Sequence, residues 1–445
     1  MTIHFIGIGG IGISGLAKFM HFQGHKVSGS DIGSSIITKE LQEMGIIVNV
    51  PHDKSAISSQ DLVVHSAIIR PDNCEVLEAK KQNIEVLARR EALLKILPED
   101  RNNYAVAGAH GKSTTSAILS AIMKGSAIIG AESKEFKSNV RYDELNDTLV
   151  FEADESDGSF LNTNPKCAIV TNAEPEHMEY YDYNYELFYD SYRQFIAKAS
   201  CRVINAEDEF LSTIEGDAIR LYPSKDIKNI KYTLINEEPH TQFELNELGI
   251  FEVWGLGEHI ALDASLAILA AAQSMDIEKI RNNLLDFKGI KKRFDIVSKK
   301  SDTVIIDDYG HHPTEIKATL ESVKTYAKLK GISDITAVWQ PHKYSRTLDN
   351  LEAFIKCFEG TKELIILPVW SAGESKKEIN FLKEFKRYNI TMADSVARKD
   401  ATLNIIKDKT VLKSINNGLI VGFGAGDITY QMRGQAVNNT LKGIA

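Results

Sequence analysis

Gly108-Ala109-His110-Gly111-Lys112-Ser113-Thr114-Thr115 follows the apolar run Tyr104 to Ala107 and opens a helical pattern containing Ala117, Ile118, Leu119, Ala121, Ile122 and Met123. Strand, glycine-rich turn, Lys-Ser and helix together make a cradle for nucleotide phosphates. Backbone N–H groups at the helix start face the anion, the lysine reaches the outer phosphates, and the serine hydroxyl ligates Mg²⁺. The longer form of this motif has a glycine where Val106 stands, so the chain carries the short form Gly-x-x-Gly-Lys-Ser. Residues Gly108 to Thr114 are therefore read as an ATP site, with Lys112 on the phosphates and Ser113 on the metal.

Upstream of this loop, residues 1–98 alternate short strands (Ile3–Ile8, Lys26–Ser30, Ile46–Val50, Asp61–His65, Glu85–Leu87) with helical patterns. That alternation predicts a parallel sheet with crossover helices. Pro98 to Asn103 is a polar break, with a second α/β unit starting at Tyr104. Its strands include Thr148–Glu152, Ala168–Thr171 and Arg202–Ile204. Hairpin-like alternation follows at Thr241–Leu245 and Ile250–Trp254, and then an Ala-rich helix over 259–274. A second break near Lys288–Arg293 leads to a third α/β unit, with strands at Val304–Asp308, Ile335–Trp339, Glu363–Pro368 and Leu419–Phe423.

The composition sets outer limits. A chain of 445 residues exceeds one ordinary core, and 43% hydrophobic with 25% charged residues fits a soluble globular protein. The net charge of −9 excludes a duplex nucleic-acid binder, yet leaves room for local phosphate pockets. Cys74, Cys167, Cys201 and Cys357 are scattered without metal spacing and read as reduced thiols of a cytoplasmic protein. No apolar run approaches the ~18 residues of a membrane span, so no membrane insertion is expected.

The first dozen residues carry a second motif. Gly7, Gly9 and Gly12 fit Gly-x-Gly-x-x-Gly after a strand, with Asp31 ending the second strand. Taken alone, this fingerprint points to a nicotinamide dinucleotide and an oxidoreductase. Its physics is broader, because glycines let a backbone approach any diphosphate and an Asp there accepts from any ribose or base. Such an oxidoreductase would leave Lys112, Ser113 and the acidic run Glu152 to Asp157 without a role. Two nucleotide sites in tandem suggest a nucleotide-tagged substrate in the first and ATP in the second.

Here the chain resembles the Mur ligase family, in order and over essentially its whole length. The resemblance rests on Phe5 to Gly12, Gly29-Ser30-Asp31, His65-Ser66-Ala67-Ile68, the loop at 108–115, Glu152 to Asp157 and Thr171 to His177. It continues through Lys291 to Asp295, Asp307 to Glu315 and Pro341 to Thr347. It implies an α/β protein of three domains. Residues 1–98 are a Rossmann-like domain for a UDP-sugar, and 99–292 a central P-loop ATPase domain with a parallel sheet. Residues 293–445 are a C-terminal Rossmann-like α/β domain that brings the amino acid and closes over the others.

The implied reaction joins L-alanine to the carboxylate of UDP-N-acetylmuramate with ATP and Mg²⁺, through an acyl phosphate, in a monomer or weak homodimer. A sister branch that adds a recycled tripeptide to the same UDP-sugar is the alternative, and a non-catalytic nucleotide sensor is the alternative of another class. By the same resemblance, Gly9, Gly10, Ile11, Gly12, Asp31, Ser66 and Ala67 meet the UDP-sugar, and Ser113, Glu155 and His177 hold metal. Arg293 meets phosphate, and His259, Asp263, Asp308 and Tyr309 contact nucleotide. His311, His342 and Arg346 serve the substrate, with Arg346 suited to a bidentate carboxylate contact. The glycine turn Gly422 to Asp427 either approaches the amino acid or closes a βα turn.

The chain departs from the family pattern at several places. Lys343 stands where Arg is usual, and Ala109 and Ser113 stand where Thr is usual. Ile260 and Asp263 replace two Asn that face adenine. Asp263 can still accept from an adenine amino group, whereas Ile260 can only pack.

Overall fold

Ile3, Phe5 and Ile6 of the first strand are fully buried, and even His4 between them has no exposed surface. Burial on both faces marks an interior strand of a parallel sheet covered by helices. The computed structural model describes residues 1–98, 101–176, 178–300 and 302–435. In the first sheet, β1 (Thr2–Ile6), β2 (Lys26–Ser30), β3 (Ile47–Asn49), β4 (Leu62–His65) and β5 (Glu85–Ala88) take the order β3-β2-β1-β4-β5. All the pairings are parallel. The order reverses between β1 and β4, so the loops leaving those two strands form the crevice where open α/β sheets bind ligands.

The second sheet contains β6 (Asn102–Ala107), β7 (Ser126–Ser133), β8 (Ser138–Arg141), β9 (Thr148–Glu152), β10 (Cys167–Val170), β11 (Cys201–Asn205) and β12 (Ile219–Leu221). Their order is β12-β11-β10-β6-β9-β7-β8, parallel except for the edge strand β8. β6 starts at Asn102, inside the stretch that reads as a polar break. The Asn102 amide donates to the Asp147 carbonyl at 2.8 Å and Asn103 Nδ2 to the Pro98 carbonyl at 2.8 Å. Side-chain polarity hid a backbone ladder. Glu99 and Asp100 of that break lie outside the described residues.

Three further strands, β13 (Ile227–Ile235), β14 (Glu238–Leu245) and β15 (Ile250–Trp254), are ordered β13-β14-β15. The Ala-rich helix runs Glu258–Ala271.

The C-terminal sheet is mixed. It comprises β16 (Asp295–Lys300), β17 (Thr303–Asp308), β18 (Ile335–Trp339), β19 (Glu363–Ile366) and β20 (Ile390–Met392), together with β24 (Gly418–Phe423). The order is β16-β17-β24-β18-β19-β20, and only β16 is antiparallel. A separate antiparallel meander, β21 (Ser395–Lys399), β22 (Thr402–Lys407) and β23 (Thr410–Ile415), precedes β24. The Rossmann-like expectation for this part thus holds for the parallel strands and omits β16 and the meander.

By packing, one unit comprises Met1–Ile230, Phe243–Val253 and Ile260–Lys288, and the other Lys231–Gln242, Trp254–His259 and Gly289–Ala445. In the first, one continuous core runs from Ile3, Phe5 and Phe19 to Phe160, Phe188, Tyr192 and Phe195. In the second, Ile305, Val338, Ile365 and Ile420 pack with Val396, Leu403 and Ile405 of the meander. No helix among the described residues is long and apolar enough to cross a membrane.

Candidate active site

The first unit gathers two loops at strand ends. After β1, Gly7 adopts φ +78° and the chain turns into the helix Ile11–Phe22, with Gly10 at its N-cap. A Cβ on Gly9 would fall 2.8 Å from Asp31 Oδ2, so a side chain there would displace the Asp31 carboxylate. The Gly9 amide donates to that oxygen at 2.8 Å, and the Gly33 amide lies 3.4 Å from Oδ1. Asp31 therefore organises the glycine loop itself. Ser66 and Ala67 leave the neighbouring strand β4, with the Ser66 amide donating to the Ile6 carbonyl at 3.0 Å. Gly9, Gly10, Ile11, Gly12, Asp31, Ser66 and Ala67 are thus brought together at the switch point.

The phosphate loop leaves β6, which lies between β10 and β9 in the second sheet. Gly108 has φ +133°, and Gly111, at φ +82°, caps the helix Lys112–Met123. Lys112 Nζ donates to the carbonyls of Gly108 (2.5 Å) and Ala109 (3.3 Å) and to Glu155 Oε1 (3.0 Å). The His110 amide donates to Asn172 Oδ1 at 3.1 Å, while Thr171 Oγ1 and Asn172 Nδ2 donate to the His110 carbonyl at 2.5 and 2.9 Å. Ser113 and Thr114 open the helix, half-buried. Asp263 is buried against the loop, its Oδ1 2.6 Å from where a Cβ on Gly111 would be.

The acidic run is graded by its surroundings. Glu155 is 1% exposed, and loss of water pushes its carboxyl up to about 7 despite the Lys112 ammonium beside it. Burial opposes the charge on Lys112, yet Glu155, Glu152 and Asp154 outweigh it and raise its pKa, so the lysine stays protonated. Asp154 keeps a low pKa. Burial opposes this, but Lys112 and Arg89 favour the carboxylate. Tyr181, buried, donates its hydroxyl to the Glu155 carbonyl at 2.5 Å and pins the run from behind. Tyr181 and Arg89, which donates to Asp154 and Asp157, carry no short-range sequence signal.

A divalent cation fits this corner. Glu155 Oε2 is buried without a hydrogen-bond partner among the described residues, and a hard carboxylate oxygen beside the phosphate-loop lysine is the donor chemistry Mg²⁺ takes. His177, the third metal residue expected, lies outside the described residues.

In the second unit, β17, β24 and β18 lie side by side and parallel, so their C-terminal loops cluster. Asp308 ends β17 and is 1% exposed. Its oxygens accept from the Phe294 and Gly310 amides, both at 2.8 Å, and from Thr319 Oγ1 at 3.2 Å. Burial pushes its carboxyl up to about 6. Asp308 thus builds the turn, whereas the neighbouring Tyr309 is 36% exposed.

Arg293 pairs with Glu315 at 3.0 Å and lies over the Tyr309 ring at 5.6 Å. Glu315 also accepts the His311 and His312 amides at 3.0 and 3.2 Å. Its signal was present in the sequence, as a Glu three residues after the His312 N-cap forms a capping box. Arg346 NH1 donates to His342 Nδ1 at 3.0 Å, and the His311 and His342 rings lie 5.6 Å apart. Burial, with Arg346 adding to it, pushes His311 down to about 4 and His342 to about 3. Both rings are neutral at pH 7. His259 belongs to this unit and is exposed, whereas Asp263, four residues on, packs in the first. In the glycine turn after β24, Asp427 accepts from Gln340 Nε2 at 2.6 Å, so its carboxylate braces the loop after β18.

This order of loops is a known one. The chain matches the Mur ligase family, catalytic domain, over residues 2–101, the Mur ligase middle domain over 106–271, and the Mur ligase, glutamate ligase domain over 292–410. The chain belongs to the Mur ligase family. It is 55% identical over 432 residues to a UDP-N-acetylmuramate–L-alanine ligase of Campylobacter curvus, covering 97% of this chain and 99% of the relative. It is also 55% identical over 436 residues to one of Helicobacter pylori, covering 97% of this chain and 96% of that protein. The fold superimposes on the UDP-N-acetylmuramate-alanine ligase of Thermotoga maritima with a TM-score of 0.80 at 24% identity, over 97% of both chains. It superimposes on a murein peptide ligase of Psychrobacter arcticus with a TM-score of 0.63 at 19% identity, over 98% of this chain and 100% of that one.

Proposed function

We propose that this chain joins L-alanine to the carboxylate of UDP-N-acetylmuramate at the expense of ATP, in peptidoglycan precursor synthesis in the cytoplasm. The Mur ligase family is ATP-dependent, and the chain is an ATP-dependent carboxylate–amine ligase. The observation that carries the site assignment is the Lys112–Glu155 pair at the phosphate loop, beside a helix start with no side-chain cap, whose first N–H groups suit an anion. A dehydrogenase has no use for it.

A carboxylate is a poor electrophile, so the reaction needs an activated acyl group. Transfer of the γ-phosphoryl to the muramyl carboxylate gives an acyl phosphate and ADP. The free amine of L-alanine then attacks that carbonyl and phosphate leaves. The protein's part is to position groups and compensate charge. Lys112 supplies a fixed positive charge at the outer phosphates. The backbone N–H groups from Gly111 to Ser113 bind phosphate oxygens. Ser113, Glu155 and His177 would hold Mg²⁺, which when bound screens the charge on the phosphates. Gly9 to Gly12, with Ser66 and Ala67, seat the UDP-sugar, and Asp31 holds that loop open. In the second unit, Arg346 binds the amino-acid carboxylate, and neutral His342 fixes the guanidinium through Nδ1. Arg293 and Tyr309 present a cation and a ring edge to nucleotide or phosphate.

The test is phosphate release from Mg-ATP by purified protein with UDP-N-acetylmuramate and either L-alanine, the recycled tripeptide, or no acceptor. Release that requires both the UDP-sugar and L-alanine is the expected result. Dependence on the tripeptide would move the chain to the sister branch. Tight UDP-sugar binding without turnover would make it a nucleotide sensor.

A further inference from the structure

Arg89 opens the helix Arg89–Ile96 after β5, and its guanidinium is divided between two tasks. NH2 donates to Asp154 Oδ2 at 3.1 Å, Asp157 Oδ2 at 3.2 Å and Ser159 Oγ at 3.3 Å. All three acceptors belong to the segment after β9 that carries Glu155. NH1 lies on the other side, 2.7 Å from where a Cβ on Gly12 would be, so it abuts the glycine loop after β1. Neither NH1 nor Nε has an acceptor among the described residues, although the side chain is only 19% exposed. A charged fork held in place, with its donors unused and turned to a loop built for diphosphate, has the geometry for an oxyanion.

The charges permit this. Arg89 donates to Asp154 and Asp157, and Lys112 pairs with Glu155 at 3.0 Å, so these three carboxylates already have cationic partners. An arriving anion therefore does not meet an uncompensated acidic wall.

We propose that Arg89 is a substrate-binding residue whose NH1–Nε edge donates to an oxyanion of the sugar nucleotide, while NH2 fixes the acidic segment beside Lys112. One guanidinium thereby couples the seat of the sugar nucleotide to the seat of the phosphoryl donor. The oxyanion is either the diphosphate or the muramyl carboxylate. The substrate's identity rests on the function proposed above.

The test is calorimetric binding of UDP-N-acetylmuramate, UDP-N-acetylglucosamine and ATP to wild type and Arg89→Lys. The second ligand has the same diphosphate and no muramyl carboxylate. Lysine keeps the positive charge for Asp154 and Asp157 but loses the fork. The expected result is a roughly 10- to 100-fold weaker Kd for UDP-N-acetylmuramate with ATP affinity changed less than about threefold. Equal weakening towards both sugar nucleotides assigns the diphosphate, and weakening of the muramate alone assigns the carboxylate. Steady-state kinetics should show the same split, with KM for the UDP-sugar raised and KM for ATP unchanged. Unchanged affinity for both sugar nucleotides, whatever happens to kcat or melting temperature, overturns the proposal and leaves Arg89 as a strut. Arg89→Gln, read in the same way, replaces the lysine variant if that one does not fold. Wild type that binds neither sugar nucleotide would instead overturn the proposed function.

Discussion

Replacing Gly108 by alanine tests the phosphate loop at its tightest point. Gly108 has φ +133°, where an L side chain is strained. A Cβ there would lie 2.1 Å from Thr171 Oγ1, 2.8 Å from the Asn172 carbonyl oxygen and 3.0 Å from the Asn172 amide nitrogen. Two of those three atoms are backbone and cannot swing away. Thr171 cannot rotate freely either, because its hydroxyl donates to the His110 carbonyl at 2.5 Å.

Gly24 is the natural control. It has φ +82°, and a methyl group added there would have nothing within 4 Å. Gly24→Ala should lose about 1–2 kcal/mol from backbone strain alone. Gly108→Ala adds overpacking of about 1–3 kcal/mol and a disturbed hydrogen bond of about 1 kcal/mol. The gap between the variants should be about 2–4 kcal/mol. Urea unfolding followed by far-ultraviolet circular dichroism measures it, and calorimetry with ATP reads the site directly. Gly108→Ala should lose most of its ATP affinity, and Gly24→Ala should keep it. Equal destabilisation, or a wild-type ATP Kd in Gly108→Ala, would refute the reasoning.

Glu155→Gln removes the charge without changing shape, and phosphate release at saturating substrates should fall roughly 100-fold or more; retention of more than a tenth of the rate would end its role. Arg346→Lys should raise KM for L-alanine by about tenfold with a smaller change in kcat, since a lysine cannot make the forked carboxylate contact. An unchanged KM would place the amino-acid carboxylate elsewhere. Because burial holds His311 near 4 and His342 near 3, their ring signals in nuclear magnetic resonance should remain those of neutral imidazole from pH 8 down to about pH 5.5. A midpoint near 6.5 for either would contradict the site described. Asp308 has a native pKa raised from 3.8 to about 6, so its stabilising share is complete below pH 3.8 and is lost as pH rises through 6. The unfolding free energy of wild type relative to Asp308→Asn should therefore fall by about 3 kcal/mol between pH 3.5 and 7, and a pH-independent difference would show that Asp308 titrates normally.

The parts of this protein that depend on neighbouring residues were legible. The path from β6 through Gly108 and Gly111 into the helix at Lys112 is a local pattern, and so is the alternation of strands and helices before it. The loops at Asp31, Ser66 and Thr171 fell at strand ends because apolar runs stop there. What escaped depends on partners far along the chain. The meander β21–β23 has charged turns at Asp400 and at Asp408-Lys409, all at positive φ, but short strands with half-polar faces. Its burial comes from Ile305 and Ile420, more than a strand away in sequence. Arg89 meets Asp154 and Asp157 across 65 and 68 residues, a pairing no spacing rule announces. Asp31 read as a ligand contact because the fingerprint places an acid there, and its bond to the Gly9 amide is visible only once the loop is closed.

Lys112 is held by its own surroundings, with two loop carbonyls and Glu155 as its acceptors. An anion entering here must compete with them rather than fall onto a bare ammonium. An anion that reaches only the lysine gains little from that exchange, since one set of hydrogen bonds replaces another. A nucleoside triphosphate can also engage the helix start, and those added contacts offset the exchange. The self-bonded lysine thus favours an anion with several points of contact over one that reaches the ammonium alone.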